Sequence, residues 1–254
     1  MGSGSLSYAL RVSCFVMAFL PFYVAAENCR PELHGDIAIK ADNVLIESNN
    51  NKFRIDPKGN LFFDVHRVAL SEAQRASLTE YNKTIRNDLP FIGRSLSEEL
   101  HTSWLALDGV LSAELGERSA LRGEVGQFHQ HLQNQVSTSL YDLDRSPQLK
   151  HQALTTAVRE LEASVPQLIA TVSSRGLMDI AMLSEGKSNK MQFISQKMAA
   201  LQNKLADEVR LQRDRTLDVQ QEVCQRFAQW QVQEAEIASL IPALSSWKTV
   251  TVRK

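Results

Sequence analysis

The chain has 254 residues, with 28 basic and 29 acidic side chains and a formal net charge of −1. This balance excludes a protein that needs a large basic excess to bind nucleic acid, and the charges form no long block of one sign. We therefore predict no nucleic-acid partner.

The first 26 residues contain the three regions of a cleavable secretory signal peptide, in the expected order. Arg11 is the one charge among them, a mostly apolar run extends over 12–26, and it ends in Val-Ala-Ala before Glu27. These are the n-region, the h-region and the small-residue cleavage site of an exported protein. The run is shorter than the about 20 apolar residues of a spanning helix. We predict cleavage near residue 26, export and no transmembrane anchor afterwards; a retained anchor is the alternative.

Cleavage at that position changes the cysteine count. The sequence has three cysteines, and removal of Cys14 leaves Cys29 near the mature N-terminus and Cys224 near the C-terminus. Two cysteines in an oxidising compartment predict one disulfide, which would close almost the whole mature chain into a loop. Two free thiols are the alternative. Removal of Arg11 also leaves 27 basic residues against 29 acidic ones, a net charge of −2.

Residues 27–70 carry the alternation of apolar and polar side chains that is typical of β-strands. It is clearest over Asp36–Lys40 and Asn43–Glu47, and it returns at Lys52–Ile55. In Asp56–Asn60, proline presets φ and glycine accepts a positive φ, so this segment predicts a tight turn. Short strands between tight turns predict a small antiparallel β-meander, one face of which must be covered by another element.

From Ser71 onwards the apolar residues recur at helical spacing. Ser71 and Gln74 have the spacing of a capping box, in which each residue satisfies a free N–H group of the other. We predict that the helix starting there stops at Leu89-Pro90, because proline cannot continue the hydrogen-bond pattern, and that a second helix starts near Ser95.

Two further apolar stripes predict two more helices. One covers Leu121–Leu140 and the other covers Leu154–Val172, with a loop at Asp142–Pro147 between them. Pro166 lies inside the second of these segments, so we expect it to kink or divide that helix.

The last long helical segment follows Gly186 and contains a heptad seam. The seam consists of Met191, Ile194, Met198, Leu201 and Leu205. Such apolar steps of three and four residues are typical of packing between antiparallel helices, but the same side chains could form an exposed seam for a partner. The charged stretch 210–214 leaves open whether this helix is continuous or broken.

Together these patterns predict an α+β protein. Its segments are a signal peptide at 1–26, a small N-terminal antiparallel β-meander at 27–70, a larger body of long antiparallel, coiled-coil-like α-helices at 71–244, and a frayed tail at 245–254. Within the tail, Thr249–Val252 could instead pair as a strand. The patterns leave the oligomeric state open.

We find no pattern in the mature sequence that indicates catalysis, a cofactor or a metal. Residues 181–188 match a loosened phosphate loop, but alanine replaces the first glycine and no βαβ unit precedes it, so the segment predicts a turn. His129 and His131 point in different directions on a helix, whereas a metal-binding pair needs a spacing of four. Asp142 and Asp144 could form at most a weak cation site.

Several stretches between Ile55 and Glu117 form a recognisable set. They are Ile55–Leu61, Leu70–Arg75, Tyr81, Ile85-Arg86, Leu89–Ile92, Leu107-Asp108 and Glu114–Glu117. The set resembles the YggN-type proteins, a family of exported proteins of Gram-negative bacteria whose function is unknown. That family also has a cysteine just after the signal and another in a Val-Cys pair near the C-terminus, which matches Cys29 and Val223-Cys224. The resemblance implies periplasmic residence and a signal–strands–helices order, supports the disulfide, and implies no catalytic residues.

These observations favour a non-enzymatic periplasmic protein that acts as an interaction, scaffold or chaperone-like protein through apolar helical seams, with other envelope proteins as partners. The methionines between Met191 and Leu205 motivate this hypothesis, because flexible side chains suit adaptable surfaces. One alternative is a cell-envelope enzyme acting on peptidoglycan or lipid, which predicts a concave pocket that holds buried ionisable groups with shifted pKa values. Another is a strand-mediated binder of envelope glycolipid, which predicts an open apolar cleft or an exposed sheet edge near Ile37–Ile46.

Overall fold

The computed structural model describes residues 30–48, 51–245 and 247–253. The predicted signal peptide and Cys29 lie outside these residues. The described chain divides into two compact units, each built from separate segments of the sequence. The strand unit comprises the described residues within 26–97, 135–157 and 219–254, and the helical unit comprises 98–134 and 158–218.

The strands lie in the strand unit. In the described part of the chain, β1 to β8 are Arg30–Leu33, Gly35–Lys40, Asn43–Ser48, Asn51–Ile55, Leu61–Phe63, His66–Arg67, Gln148–Leu149 and Val250–Arg253. Strands β2 to β6 are successive antiparallel neighbours, which confirms the predicted meander. Two distant segments extend this arrangement, because β7 joins β2 as the sixth strand of the sheet and β8 pairs with β1 in a separate two-stranded sheet.

The alternation of the strands places one face of the sheet in a hydrophobic core. Ile46 lies between Ile37 and Phe53 of the neighbouring strands, and all three side chains are buried. Helical side chains belong to the same buried cluster and supply the cover that the meander needs; they include Leu78, Ile85, Leu89, Phe227 and Trp230. Burial of each such side chain contributes about 1.5–3 kcal/mol.

The turn at Asp56–Asn60 has the predicted chemistry. Asp56 Oδ1 accepts the backbone N–H groups of Lys58 and Asn60, both at 2.9 Å. Gly59 has a φ of 72°, and a Cβ atom at this position would collide with the carbonyl oxygen of Arg75. Only glycine allows the turn to approach the next element this closely.

The body of the protein is helical, so the chain has the predicted α+β fold. Within the described residues, α1 to α4 are Glu72–Leu115, Ala120–Leu140, His151–Leu183 and Lys190–Leu240, followed by a 3₁₀ turn at Pro242–Leu244. The predicted capping box opens α1, since the Ser71 N–H donates to Gln74 Oε1 at 2.8 Å and the Gln74 N–H donates to Ser71 Oγ at 3.3 Å. None of the described helices has a stretch apolar enough to cross a bilayer.

The helix break predicted at Leu89-Pro90 is wrong, because α1 continues through Pro90 to Leu115. A proline inside a helix removes one hydrogen bond and crowds the preceding turn, at a cost of about 3 kcal/mol. Leu89 and Ile92 are both buried, so the apolar face of α1 continues across the proline and offsets this cost. Pro166 likewise lies inside α3 and does not divide it.

The C-terminal part of the chain is more regular than the sequence predicted. Helix α4 is continuous over 51 residues, so the charged stretch 210–214 does not break it. The prediction of a frayed tail is wrong, and the alternative of a strand is correct, because Val250–Arg253 pairs with β1. Thr249 and Val250 are completely buried. The reason is a set of tertiary contacts to α1 and α4, described below, which the polar tail sequence does not reveal.

Side-chain pairs in the helical unit show that its helices are antiparallel. Glu99 of α1 accepts a hydrogen bond from Thr216 of α4, whereas Glu114, farther along α1, accepts one from Lys197, earlier in α4. The contacts between α1 and α2, and those between α2 and α3, also join later residues of one helix to earlier residues of the other. The predicted body of long antiparallel helices is therefore confirmed, while coiled-coil packing in the strict sense stays a prediction.

We predict that Gly59→Ala lowers the free energy of unfolding by about 3 kcal/mol or more, because the new Cβ meets the Arg75 carbonyl oxygen at a residue that keeps a positive φ. Gly116→Ala is the matched control, since Gly116 has a φ of 88° and no atom within 4 Å of the added Cβ. It carries only the backbone cost of about 1–2 kcal/mol. Thermal unfolding followed by circular dichroism measures both variants, and equal losses would contradict the close contact between the turn and α1.

Candidate functional site

An ion cluster around a buried carboxylate holds α1 against α4 in the helical unit. The Glu114 carboxylate is buried and accepts hydrogen bonds from the ammonium groups of Lys197, at 2.7 Å, and Lys204. These bonds lower the pKa of Glu114, so the carboxylate stays ionised. Lys197, Leu201 and Lys204 recur at helical spacing, so this face of α4 is turned toward α1.

The predicted partner seam divides into a buried and an exposed part. Leu201 and Leu205 are only 3% and 6% exposed, Ile194 and Met198 are half-buried, and Met191 is 81% exposed. The hypothesis of an exposed seam is therefore wrong for Leu201 and Leu205, because these two side chains form part of the core of the helical unit. A heptad pattern identifies one face of a helix, but it does not show whether another helix covers that face.

The orientation of α3 is set by one of its own carboxylates, which caps the preceding helix, α2. Asp179 Oδ2 accepts hydrogen bonds from the Ser119 hydroxyl, at 2.6 Å, and from the Leu121 N–H, at 3.1 Å, at the start of α2. A carboxylate at this position satisfies free N–H groups and interacts favourably with the helix dipole. Asp179 and Ile180 are buried, so one face of the last turns of α3 is held inward.

The remaining side chains of these turns face solvent, and all of them are apolar. The leucines and methionines among them are between 40% and 59% exposed, and the alanine is exposed as well. We call this surface the methionine patch; it consists of Leu177, Met178, Ala181, Met182 and Leu183. Single exposed apolar residues are common on protein surfaces, whereas contiguous ones mark interaction sites. The methionine patch is the candidate functional site of the helical unit.

The apolar periodicity by itself does not identify this patch, although a signal for it is present in the sequence. Over residues 176–183 the one charged side chain is Asp179, so a helix there is apolar on almost every side, and only burial of one face distinguishes core from surface. The segment that resembles a phosphate loop overlaps the patch. It follows a helix rather than a strand and turns at Gly186, where φ is 78°, which confirms the predicted turn.

The strand unit contains a buried carboxylate, that of Glu234 in α4. Its Oε1 accepts hydrogen bonds from the Tyr81 hydroxyl, at 2.9 Å, and from the Thr249 hydroxyl, and its Oε2 accepts the Thr249 N–H at 2.9 Å. Burial raises the pKa of Glu234, and the hydrogen bonds from Thr249 and Tyr81 counteract only part of this effect. Burial, together with the nearby Glu234 charge, also raises the pKa of Tyr81.

The alternative of an envelope enzyme predicts such groups inside a concave pocket. Tyr81 and Glu234 are buried ionisable groups with shifted pKa values, but their polar atoms are engaged with one another and with the C-terminal segment. They are absent from the lining of the cleft on the outer face of the six-stranded sheet. This arrangement makes the pair a structural anchor, and the enzymatic alternative stays a prediction without a site among the described residues.

The other candidate residues lie apart from one another. His129 is buried against the ring of Trp104, with ring centroids 5.1 Å apart, whereas His131 is exposed, which confirms that the two histidines point in different directions. Burial lowers the pKa of His129. Asp142 Oδ1 accepts backbone N–H groups of its own turn, including that of Asp144. Among the described residues, no group of three or more His, Cys, Asp or Glu side chains could hold a metal ion.

The raised pKa of Glu234 predicts a pH dependence of stability. The folded state binds the proton of the Glu234 carboxyl group more tightly than the unfolded state does. The contribution of this proton to the stability of the folded state is therefore complete below the ordinary pKa of 4.5, and it is lost as the pH rises through the raised pKa. Glu234→Gln removes this ionisation. The unfolding temperature of the unsubstituted protein, measured relative to that of Glu234→Gln, should therefore fall as the pH rises above about 4.5.

The matched control is Glu236→Gln, which removes one negative charge from an exposed position of the same helix. Unfolding temperatures of the three proteins across the pH series give the comparison. A difference between the unsubstituted protein and Glu234→Gln that stays constant with pH would contradict the buried, ionisable state of Glu234.

The chain is similar to known proteins over most of its length. A family described as "Protein of unknown function (DUF2884)" matches residues 29–250. The "Uncharacterized protein YggN" of Escherichia coli strain K12 is 21% identical over 202 residues, which cover 78% of this chain and 84% of the relative, and the YggN proteins of E. coli O6:H1 and O157:H7 match to the same extent. No solved structure matches the chain. The resemblance to YggN-type proteins is confirmed, and the chain belongs to the DUF2884 family.

Proposed function

We propose that this protein is an exported, non-enzymatic interaction protein of the periplasm that holds apolar segments of other envelope proteins at the methionine patch. The patch is the single observation that carries the proposal. Within residues 176–183 every exposed side chain is apolar, and the one charged residue, Asp179, is buried. Such a surface is costly to leave in water unless a partner covers it.

The size of the patch favours weak, reversible binding. Complete burial of a leucine or methionine side chain contributes about 1.5–3 kcal/mol, so covering the exposed half of each one contributes about 1 kcal/mol. The four large side chains therefore supply a few kcal/mol, from which the entropic costs of association must be subtracted. A protein that holds other chains transiently needs binding of this strength, whereas a permanent dimer needs a larger apolar interface.

The chemistry of the patch favours segments of varied shape over one fixed partner. Methionine has an unbranched, polarisable side chain that adapts to differently shaped apolar groups. The backbone beneath the patch is held in place, because Asp179 bonds the start of α2. A rigid support with adaptable side chains suits a chaperone-like protein that contacts incompletely folded chains.

We predict that the mature protein suppresses the aggregation of an unfolded model protein and that the double substitution Met178→Glu/Met182→Glu removes most of this effect, because two charges prevent apolar contact at the patch. Light scattering of reduced, denatured insulin gives the measurement. Leu143→Glu is the matched control, since Leu143 is fully exposed in a loop outside the patch. An unsubstituted protein without effect, or an equal loss in Leu143→Glu, would overturn the proposal.

Export is part of the proposal and is supported by the sequence. The predicted signal peptide at 1–26 and the relatives in a Gram-negative bacterium both favour the periplasm. Cys224 lies in α4, whereas Cys29 lies outside the described residues, so the Cys29–Cys224 disulfide stays a prediction. An oxidising compartment would keep this cross-link between the two ends of the mature chain.

We expect the protein recovered from the periplasmic fraction to begin at Glu27 and to gain the mass of two hydrogens on reduction. Intact-mass spectrometry with and without reductant measures both features in one sample. A cytoplasmic protein that retains Met1 would contradict export, and a mass unchanged by reductant would contradict the disulfide.

A further inference from the structure

The methionines of the mature sequence are concentrated in one part of the helical unit. The chain has six methionines, of which two lie in the predicted signal peptide, so four remain. They are Met178 and Met182 in α3 and Met191 and Met198 in α4. Among the described residues, the buried hydrophobic side chains are those of Leu, Ile, Val, Phe, Tyr and Trp, and none is a methionine. The thioether groups of the described chain therefore lie outside its buried core.

Three of these four side chains are open to solvent. Met178 is 51% exposed, Met182 is 59% exposed and Met191 is 81% exposed, whereas Met198 is half-buried. Met178 and Met182 are four residues apart, so they lie one turn apart on the same side of α3, within the methionine patch. The buried Asp179 bonds the start of α2 and fixes the rotation of this helix. The two thioether groups are therefore kept at the surface.

A thioether sulfur that is open to solvent is subject to two-electron oxidation. With hydrogen peroxide, a lone pair of the sulfur attacks one peroxide oxygen, the S–O bond forms as the O–O bond breaks, and the sulfur loses two electrons. The hydroxide that leaves takes up the proton of the transferred oxygen, so the products are methionine sulfoxide and water. The sulfoxide is polar, whereas the thioether is apolar. Oxidation therefore changes the character of the surface that carries the methionine.

We propose that Met178 and Met182 form an oxidation site that controls the methionine patch, because peroxides convert both side chains to sulfoxides and so weaken the binding of apolar groups there. The proposal rests on the function proposed for the methionine patch, since it concerns the regulation of the same surface. Leu177, Ala181 and Leu183 have no sulfur to oxidise. The oxidised patch therefore keeps part of its apolar surface, and its affinity for apolar groups falls without being abolished.

Oxidation at these two positions leaves the fold intact. A sulfoxide in the interior would bury a polar group without a partner, which is costly. The sulfurs of the patch face solvent instead, and α3 is held by Asp179 and Ile180, both of which are buried and contain no sulfur. Loss of binding by the oxidised patch is thus separable from damage to the protein.

The first measurement follows the modification itself. The full mature protein is treated with hydrogen peroxide, and peptide mass spectrometry gives the rate of sulfoxide formation at each methionine. We expect Met178, Met182 and Met191 to be oxidised several-fold faster than the half-buried Met198, with an unchanged circular dichroism spectrum. A rate at Met178 and Met182 no higher than that at Met198, or unfolding on oxidation, would overturn the proposal.

The second measurement follows binding, after the peroxide has been removed. The protein is titrated with Nile red, an uncharged apolar dye, and the aggregation of reduced insulin is measured in parallel. Dye binding at the patch is the part that Met178→Glu/Met182→Glu removes. Oxidation should weaken this dye binding roughly tenfold or more and should remove most of the suppression of insulin aggregation. Dye binding that is unchanged when both sulfoxides have formed would overturn the proposal.

Two matched variants assign the effect to the sulfurs of the patch. Met178→Leu/Met182→Leu keeps the surface apolar but removes both oxidisable groups, so peroxide should leave its dye binding unchanged. Met191→Leu/Met198→Leu carries the same substitutions outside the patch, so it should lose dye binding on oxidation as the unsubstituted protein does. Equal losses in the two variants would contradict control by Met178 and Met182.

The two proposals fail in different ways. If the untreated protein does not suppress insulin aggregation but its dye binding responds to oxidation as described, the proposed function is wrong and the oxidation site is supported. If the untreated protein suppresses aggregation and still does so with both sulfoxides formed, the proposed function is supported and control by oxidation is wrong. Dye binding that Met178→Glu/Met182→Glu does not reduce would contradict both.

Discussion

The carboxylate of Glu234 is the group on which the strand unit depends. It joins α4 to Tyr81 of α1 and to Thr249 of the C-terminal segment. A carboxylate in an apolar interior is costly unless its oxygens accept hydrogen bonds, so each partner stabilises the position of the other two. The segment held in this way also inserts Trp247, whose ring packs edge-to-face on Tyr81 at 5.1 Å. Strand β8 follows directly and is thereby placed where it pairs with β1.

A second polar cluster fixes how α1 and α4 align in this unit. Asp88 is buried and accepts a hydrogen bond from the Trp230 indole N–H, at 2.8 Å. It also forms an ion pair with Arg226. The Arg226 guanidinium also lies 3.9 Å from the centre of the Phe91 ring. Apolar side chains tolerate small shifts along a helix, whereas a buried acid must meet its donors, so clusters of this kind select one alignment of the two helices.

The methionine patch is left open by the way in which α3 is held. The methionine patch exists because Asp179 and Ile180 take the inward positions on α3 and leave apolar side chains outward. An apolar surface therefore remains in contact with solvent, which is the usual property of a binding site.

Much of the local structure followed from the sequence by itself. The capping box at Ser71 and Gln74, the turn at Asp56 and the alternation of β2 to β5 were predictable, because each depends on hydrogen bonds or periodicities within a few residues. The α+β order followed from the change of period near residue 70. These features require no information about distant parts of the chain.

Tertiary structure alone decided the rest. Burial on both sides of Pro90 keeps α1 continuous, and the hydrogen bonds of Glu234 order the tail. The ion cluster around Glu114 turns the face of α4 that carries Leu201 toward the core. The methionine patch was equally inaccessible, since it depends on which face of a helix is covered. A sequence specifies the apolar face of an element, but the segment that covers this face comes from elsewhere in the chain, and only the folded structure shows what remains exposed.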